Sequence, residues 1–313
     1  MKHCCVIGGA GFIGSSVVEV LHGCNRRITV IGRSKAPLRP LPDAVRYISG
    51  DYGDSAFLEK ALQDIDEIID LAYATVPKTS YDDPVRDILS NLPPAVKLFE
   101  TACRLSIKKI VIISSGGTIY GKAQEIPIRE DHPTNPISPY GITKLALEKY
   151  ALMFHQLNDL PVVCVRPGNA YGERQQPFVG QGFIATAMAN ILNRQDIALF
   201  GETGTVRDYV YASDIANGIV TALERGTPGS CYNIGSGEGK SNRDVLNMIL
   251  PMARSQGFDP RIKILPIRDF DVPVNILDSA KLRTETGWQP LISFDEGIKR
   301  TWEHYYRTIG LRQ

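Results

Sequence analysis

The sequence predicts an α/β fold, with a doubly wound parallel sheet in its first half and a smaller α/β lobe in its second. Three observations support this fold class. Short apolar runs alternate with helical patterns through the first half, as βαβ units do around a parallel sheet. These runs are apolar throughout, which is typical of strands covered on both faces. After Pro167 the strict alternation ends, and Gly- and Pro-containing loops join shorter helices.

The elements of the first half follow one another in a regular order. Each strand is a short apolar run, and a helical segment or a loop leads to the next run. The predicted strands are HCCVIG (3–8), RITVIG (27–32), VRYIS (45–49), EIIDLA (67–72), KIVIIS (109–114) and PVVCVRP (161–167). The predicted helices between them span residues 13–21, 55–62, 85–105 and 141–157.

Composition and charge limit the classes of protein to which the chain can belong. Its 313 residues are enough for two lobes with a sizeable core. Lys plus Arg number 35 and Asp plus Glu number 34, a net charge of +1, so we expect neither a nucleic acid nor a membrane surface as a partner. No run reaches the roughly 18 apolar residues that a membrane-spanning helix needs. The sequence therefore predicts a soluble protein.

The cysteines indicate a reducing compartment. They are Cys4, Cys5, Cys24, Cys103, Cys164 and Cys231. No two form a CxxC pair, and most lie in apolar strand-like or helical segments. We therefore expect reduced, buried thiols, no metal site and a cytoplasmic protein.

Three glycines lie between the first predicted strand and the first predicted helix. Gly8 allows a tight turn, Gly11 lets the backbone approach a pyrophosphate, and Gly14 permits close packing of the helix on the strand. The helix N-terminus then faces the negative charge of the ligand. The position of this motif, directly after a strand, predicts a Rossmann-type dinucleotide-binding domain.

The change of pattern at Pro167 divides the chain into two predicted domains. Residues 1–167 form the dinucleotide-binding domain. Residues 168–313 form mainly a substrate domain, of which residues 209–235, containing YASDIANGIVTALE, pack back on the first domain.

The end of the second predicted strand bears on the choice between NAD and NADP. A Rossmann fold often has an Asp or Glu there, which holds the ribose 2′-OH. Here Gly32 is followed by Arg33. Gly32 removes a carboxylate that would repel a 2′-phosphate, and the Arg33 guanidinium could bind one. Arg33 could instead stack on the adenine or face solvent.

A Tyr and a Lys four residues apart form the second motif. In a helix, Tyr140 and Lys144 lie on one face. A nearby ammonium stabilises a phenolate and lowers the Tyr pKa, which allows proton exchange near neutral pH. The predicted strand at 109–114 would bring Ser114 and Ser115 to its carboxyl end, where open parallel sheets bind ligands.

Several motifs, in this order, resemble those of a known family. They are GGAGFIG, VIISSGGTIYG, SPYGITK, RPGNAYG and VRDYVYASD, followed by ILDSAKLRTETGWQP near the C-terminus. The chain resembles the extended short-chain dehydrogenase/reductases, and within them the NAD-dependent nucleotide-sugar epimerase/dehydratase group, UDP-glucose 4-epimerase-like. The resemblance covers nearly the whole chain and implies an NAD cofactor and a nucleotide-sugar substrate.

The resemblance implies roles for individual residues. Tyr140 would be the general acid/base, and Lys144 its partner and a ribose ligand. The family often has a Ser or Thr where Gly116 stands, so hydrogen bonding to the reacting sugar oxygen passes to Ser115, with Thr118 assisting. The residues implied to bind the cofactor are Gly8, Gly11, Phe12, Ile13, Gly14, Arg33, Asp51, Tyr52, Leu71, Ala72, Ser114, Tyr140, Lys144 and Pro167. Those implied to bind the substrate are Lys78, Ser115, Tyr140, Asn169, Arg207, Asn275 and Arg283, the arginines for a diphosphate.

The resemblance also bears on the reaction. The 4,6-dehydratases have an Asp-Glu pair just before the Tyr of YG, and the decarboxylase-like members have a Glu there; Gly117 and Thr118 occupy these places. A 4-epimerase needs the fewest catalytic side chains, since Tyr140 takes the 4-OH proton while hydride passes to NAD and returns on the other face. Asn275 stands where glucose-restricted epimerases tend to have a Tyr, which implies that UDP-N-acetylhexosamines are accepted beside UDP-hexoses.

Two alternatives remain open. The first is an NADP-dependent reductase of a nucleotide 4-keto-6-deoxy sugar, which would use the same Tyr and Lys. The second is a non-catalytic NADP-sensing protein, against which the intact Tyr140 and Lys144 argue. The resemblance further implies a homodimer, paired through residues 85–105 and 138–157, and a role in polysaccharide biosynthesis.

Overall fold

A computed structural model describes residues 1–267 and 272–310. Its strands are β1 (His3–Ile7), β2 (Arg27–Gly32), β3 (Arg46–Ser49), β4 (Glu67–Asp70), β5 (Lys109–Ile113), β6 (Val162–Pro167), β7 (Asn169–Tyr171), β8 (Ile197–Phe200), β9 (Val206–Tyr211), β10 (Cys231–Ile234), β11 (Gly239–Ser241), β12 (Ile262–Leu265) and β13 (Val274–Asn275). Its helices are α1 (Phe12–His22), α2 (Ser55–Ala61), α3 (Pro77–Asp82), α4 (Pro84–Arg104), α5 (Pro139–Asn158), α6 (Phe183–Leu192), α7 (Ala212–Arg225), α8 (Asn242–Ser255), α9 (Ala280–Thr286) and α10 (Phe294–Thr308).

The main sheet has seven parallel strands in the order β10-β6-β5-β4-β1-β2-β3. The chain runs outward from β1 to β3, then crosses back and runs outward from β4 to β6. All six strands predicted in the first half are present, and the ends of the four predicted helices differ from the observed ones by at most two residues. The doubly wound α/β fold class is therefore confirmed. The seventh strand, β10, was not predicted.

The two faces of the main sheet are buried in different apolar clusters. In β1, Cys4 and Val6 point to one face and Cys5 and Ile7 to the other, because neighbouring side chains of a strand alternate. Helices α1 and α7 cover the first face, and α2, α4 and α5 cover the second. This double covering explains why the strands are apolar throughout.

Elements from the second half of the chain return to the main sheet. Helix α7 packs on α1, and β10 pairs in parallel with β6. Helix α9 in turn packs on α7 and β10. All six cysteines are free thiols. No helix within the two described ranges has the length and apolar character needed to cross a membrane.

A second sheet is built around β9. Strand β11 pairs antiparallel with it, and β7 and β13 pair with it in parallel. Helices α6, α8 and α10 enclose a separate apolar core around Trp302. Strand β13 places Asn275 opposite Arg207, and the Asn275 Nδ2 donates a hydrogen bond to the Gly116 carbonyl at 3.0 Å. The second sheet is thereby tied to the turn that follows β5.

Candidate active site

The turn between β1 and α1 has the geometry of an anion-binding site. Gly8 has a φ of +79°, a conformation that favours glycine. A Cβ at Gly14 would collide with the Gly8 carbonyl oxygen, so α1 can approach β1 this closely only without a side chain there. Gly11 is the N-cap residue of α1 and has no side chain to cap the helix. The N–H groups of the first helical turn, at Phe12 and Ile13, can therefore bind a phosphate.

The same turn lies against the end of β4. A Cβ at Gly8 would lie 3.1 Å from the Ala72 nitrogen and 3.3 Å from the Leu71 carbonyl oxygen. The last residue of β4, Asp70, accepts a hydrogen bond from the Ala72 N–H at 3.0 Å. Burial raises the pKa of Asp70 to about 6. The structure thus brings Leu71 and Ala72 to the glycine turn.

The ends of β2 and β3 hold the next group of predicted cofactor residues. The Gly50 N–H donates to the Gly32 carbonyl at 3.0 Å, which places Arg33 beside the segment that contains Asp51 and Tyr52. Burial raises the pKa of Tyr52, and the positive charge of Arg33 opposes that rise. These three residues therefore lie together at the carboxyl ends of the strands, where Rossmann folds bind adenosine.

Helix α5 brings Tyr140 and Lys144 to the same carboxyl end of the main sheet. Its first residue is Pro139, and the Ser138 hydroxyl caps it, so that Tyr140 lies in the first turn. The Lys144 Nζ lies 5.8 Å from the centre of the Tyr140 ring. It donates a hydrogen bond to the carbonyl of Ile113, the last residue of β5, at 2.8 Å.

Two residues of this site were assigned no role of their own from the sequence: Tyr73, in the LAYA segment that the resemblance places beside the cofactor, and Asp87. The Tyr73 ring packs edge-on against Tyr140, with 5.0 Å between ring centres, and its centre lies 3.9 Å from the Lys144 Nζ. The Tyr73 hydroxyl donates to the fully buried Asp87 carboxylate at 3.4 Å. Asp87 and Asn91 are four residues apart on the buried face of α4. That polar pair at helical spacing was the signal in the sequence.

Burial controls the protonation of the Tyr–Lys pair. It lowers the pKa of Lys144 to about 8, although neighbouring carboxylates oppose this effect. Burial, with a contribution from the Asp87 charge, raises the pKa of Tyr140. Among the protein's own side chains, the pKa of Tyr140 is thus raised overall, and the predicted net lowering by Lys144 is not seen. The physical reason is that the half-buried Tyr140 is packed among other side chains, and the ammonium faces the Tyr73 ring and a backbone carbonyl.

Hydroxyl groups line the turn after β5. The Ser114 Oγ and the Thr118 Oγ1 are buried without a hydrogen-bond partner in the described part of the chain. A Cβ at Gly116 would lie 2.8 Å from the Arg166 carbonyl oxygen, so no side chain fits there. A Cβ at Gly117 would lie 3.3 Å from the Asn169 Oδ1 and 4.0 Å from the Ser115 Oγ. Ser115 and Asn169 thus flank the same small space.

The predicted substrate residues of the second sheet adjoin this turn. Asn275 is 1% exposed, and its Oδ1 has no partner among residues 1–267 and 272–310. Arg207, opposite it, is half-buried and donates to the Val206 and Val272 carbonyls at 2.9 and 2.7 Å. Pro167, the last residue of β6, accepts a hydrogen bond from the Gly116 N–H at 2.9 Å. The turn, β6 and β13 therefore meet at one place.

The structure does not bring Arg283 to these residues. The start of helix α9 lies beyond the carboxyl end of β10. There the hydroxyl of Ser279, the residue before α9, is hydrogen-bonded to Gly235, the residue after β10. Helix α9 ends where the Tyr232 and Thr227 side chains contact Glu285, toward the amino end of β10. Arg283 is exposed on this outer helix, so its assignment as a diphosphate ligand is corrected. Lys78, on α3, packs instead beside Gly180 in the loop before α6.

Comparison with known proteins fits this geometry. Residues 4–235 match the model of the NAD-dependent epimerase/dehydratase family. The chain belongs to this family. The family predicted from the sequence motifs is thus confirmed, and the protein is an enzyme of the epimerase/dehydratase superfamily.

The relatives of this chain include both epimerases and dehydratases. A UDP-glucose 4-epimerase of Mycolicibacterium smegmatis is 32% identical, covering 96% of this chain and 97% of its own. A dTDP-glucose 4,6-dehydratase of Streptomyces antibioticus is 28% identical, covering 96% and 91%. The solved UDP-glucose 4-epimerase of Thermus thermophilus, in complex with NAD, is 33% identical with a TM-score of 0.89, covering 97% and 99%.

The described residues of this family member fit a nicotinamide dinucleotide. The glycine turn leaves a cradle that a Cβ at Gly14 would fill. The buried, unpartnered Ser114 hydroxyl lies at the end of β5, next to the carbonyl that holds the Lys144 ammonium. The pyrophosphate would lie at the N-terminus of α1, and Tyr140 and Lys144 at the nicotinamide end.

Proposed function

We propose that the protein is a nucleotide-sugar 4-epimerase that interconverts UDP-hexoses or UDP-N-acetylhexosamines with a bound dinucleotide. One observation carries this proposal. Tyr140 and Lys144 lie beside a hydroxyl-lined turn in which Gly117 and Thr118 stand where dehydratases of the family have two carboxylates. A proton can be exchanged at one oxygen there, but the turn has no acid–base pair for eliminating water.

The side chains divide the reaction between them. Tyr140, as phenolate, takes the proton of the sugar 4-OH and later returns it to the 4-keto oxygen, while Ser115 and Thr118 hold that oxygen. A dinucleotide held by the glycine turn and by Lys144 would supply the hydride acceptor and donor for C4. Arg207 would hold the diphosphate, so that the hexose can turn over between the two steps.

Positive charge is needed to form the phenolate in this buried place. The Lys144 ammonium, with a pKa of about 8, is charged at neutral pH and loses its charge as the pH rises through 8. The oxidised nicotinamide ring is a second cation. Together the two charges would offset the raised pKa of Tyr140.

Asn275 supports a substrate with an N-acetyl group. Its side chain is smaller than that of a Tyr and donates a hydrogen bond to the Gly116 carbonyl. We expect purified enzyme to convert both UDP-GlcNAc and UDP-glucose, and Asn275→Tyr to lose UDP-GlcNAc turnover at least about tenfold more than UDP-glucose turnover. Asn275→Ser is the matched small control. Absence of UDP-GlcNAc turnover at high enzyme concentration would refute this specificity.

The exposed Arg33 favours a second candidate, an NADP-dependent reductase of a nucleotide 4-keto-6-deoxy sugar. The decisive measurement is dinucleotide balance during turnover. An epimerase converts its substrate without net consumption of NADPH or NADH, and a reductase consumes one NADPH per product. A protein that binds cofactor and turns over neither substrate would be the NADP-sensing protein, and the epimerase proposal would then be wrong.

Apolar side chains on α4 and α5 support a homodimer. Leu89 and Val85 are 63% and 64% exposed, and Ile142 and Leu157 are 56% and 70% exposed. We expect light scattering to give twice the chain mass, and the double variant Leu89→Glu with Leu157→Glu to be a monomer, because charges in an apolar interface are left unpaired. Leu291→Glu, equally exposed but on another face, is the control and leaves a dimer.

A further inference from the structure

The segment 33–42, which directly follows β2, carries three cations and no acid. Arg33, Lys35 and Arg39 lie within it, and the first acidic residue after β2 is Asp43. None of the three cations forms an ion pair with a carboxylate in the described ranges. An anion bound by this segment would meet positive charge that forms no ion pair there, with the Asp51 carboxylate lying beyond β3 beside Arg33.

Arg39 extends this charge to the glycine turn. Its guanidinium donates to the Ala10 carbonyl at 3.2 Å and to the Arg174 carbonyl at 2.5 Å. Both acceptors are uncharged backbone groups. Burial, and then the positive charge of Arg174, lower the pKa of Arg39. This half-buried cation therefore lies next to the turn that would hold the pyrophosphate, without a carboxylate partner.

The end of β2 is built without an acidic side chain. A Cβ at Gly32 would lie 2.6 Å from the Tyr47 hydroxyl oxygen, and that hydroxyl donates to the Ser34 carbonyl at 2.8 Å. The Tyr47 side chain therefore occupies the space that a side chain at position 32 would need. Its hydrogen bond to Ser34 also holds the start of the segment that contains the three cations. The Gly32 carbonyl accepts a hydrogen bond from the Gly50 N–H, just beyond the end of β3, at 3.0 Å, so Arg33, the next residue, lies at the carboxyl end of the sheet, where Rossmann folds bind their ligands.

The 2′ position of the adenosine ribose lies, in a Rossmann fold, between the end of the second strand and the glycine turn. We propose that Arg33, Lys35 and Arg39 bind a 2′-phosphate there, so that the protein prefers NADP over NAD. A phosphate takes fork-shaped donors from arginine and a point charge from lysine. This inference deepens the proposed function by choosing its cofactor, and it holds for the epimerase and the reductase alike.

The test uses the full-length, cofactor-free protein and two probes that lack nicotinamide, 2′,5′-ADP and 5′-ADP. We expect calorimetry to show that 2′,5′-ADP binds at least about tenfold more tightly, and that salt weakens its binding more steeply. Arg33→Ala is expected to remove most of this difference. Arg46→Ala is the matched control, because Arg46 is exposed at the amino end of β3, away from the site, and it should leave the difference unchanged.

A reverse variant tests the role of position 32. Gly32→Asp combined with Tyr47→Ala opens space for a carboxylate and is expected to make 5′-ADP the tighter ligand. Equal affinity of the wild-type protein for the two probes would overturn the proposal. So would an Arg33→Ala variant that weakens both probes equally, which is the result expected if Arg33 only stacks on adenine. Neither result depends on sugar turnover, so failure here is distinct from failure of the proposed epimerase.

Discussion

Tyr140→Phe is expected to lower kcat for sugar interconversion by about 10²- to 10⁴-fold, the range that general acid–base catalysis contributes. The variant keeps the ring that packs edge-on against Tyr73 and loses only the group that exchanges the proton. We therefore expect dinucleotide binding and the melting temperature to change little. The measurements are kcat and KM with UDP-glucose, together with the amount of dinucleotide retained after purification.

A second tyrosine of the same helix provides the control for this prediction. Tyr150 is 40% exposed on α5, and Tyr150→Phe should keep wild-type kcat. If Tyr140→Phe kept more than about a tenth of the activity, the proton would have another acceptor. Tyr73 would be the next candidate, because it contacts both Tyr140 and Lys144.

The parts of this site that lie within one segment could be predicted from the sequence. Gly8, Gly11 and Gly14 lie on a single strand–turn–helix unit, and Tyr140 and Lys144 share one helix. Local geometry fixes such spacings, and the apolar runs fix the strands that carry them. The fold class follows for the same reason.

Features that depend on how distant segments pack could not be predicted in this way. Tyr73 meets Asp87 only because the loop after β4 packs on α4. Arg283 lies away from the turn after β5 because α9 runs back along β10. The local sequence of α9 does not determine this direction. The raised pKa of Tyr140 results mainly from burial. The four-residue spacing to Lys144 predicts only a nearby positive charge, which opposes that rise.

The second large effect expected is on stability, from Glu148→Ala. Glu148 and Arg166 form two hydrogen bonds, at 3.0 and 2.8 Å, and their side chains are 1% and 7% exposed. Removing the carboxylate leaves a buried guanidinium unpaired, so we expect the free energy of unfolding to fall by about 3–5 kcal/mol in chemical denaturation. Arg300→Ala removes the exposed pair with Glu296 and should cost less than about 1 kcal/mol.

A double variant separates the unpaired charge from the pair itself. Glu148→Leu with Arg166→Met removes both charges of the pair. It also removes the Arg166 hydrogen bonds to the Tyr120 hydroxyl and the Glu130 carbonyl, while the Tyr120 hydroxyl keeps its hydrogen bond to Asn233 at 2.7 Å. We expect it to recover most of the lost stability, since buried ion pairs often match apolar replacements. A double variant as unstable as Glu148→Ala would contradict this account.

The buried ion pair also has a consequence for the candidate site. Arg166 belongs to β6, and its carbonyl lies close above Gly116 in the turn that contains Ser115. The Glu148 charge, in addition, is one of those that raise the pKa of Lys144. If the pair positions this edge, the double variant will be stable but less active, and its activity will decline at a lower pH than in the wild type, because Lys144 then loses its proton sooner. Restored stability with wild-type kcat and pH profile would limit the pair to a structural role.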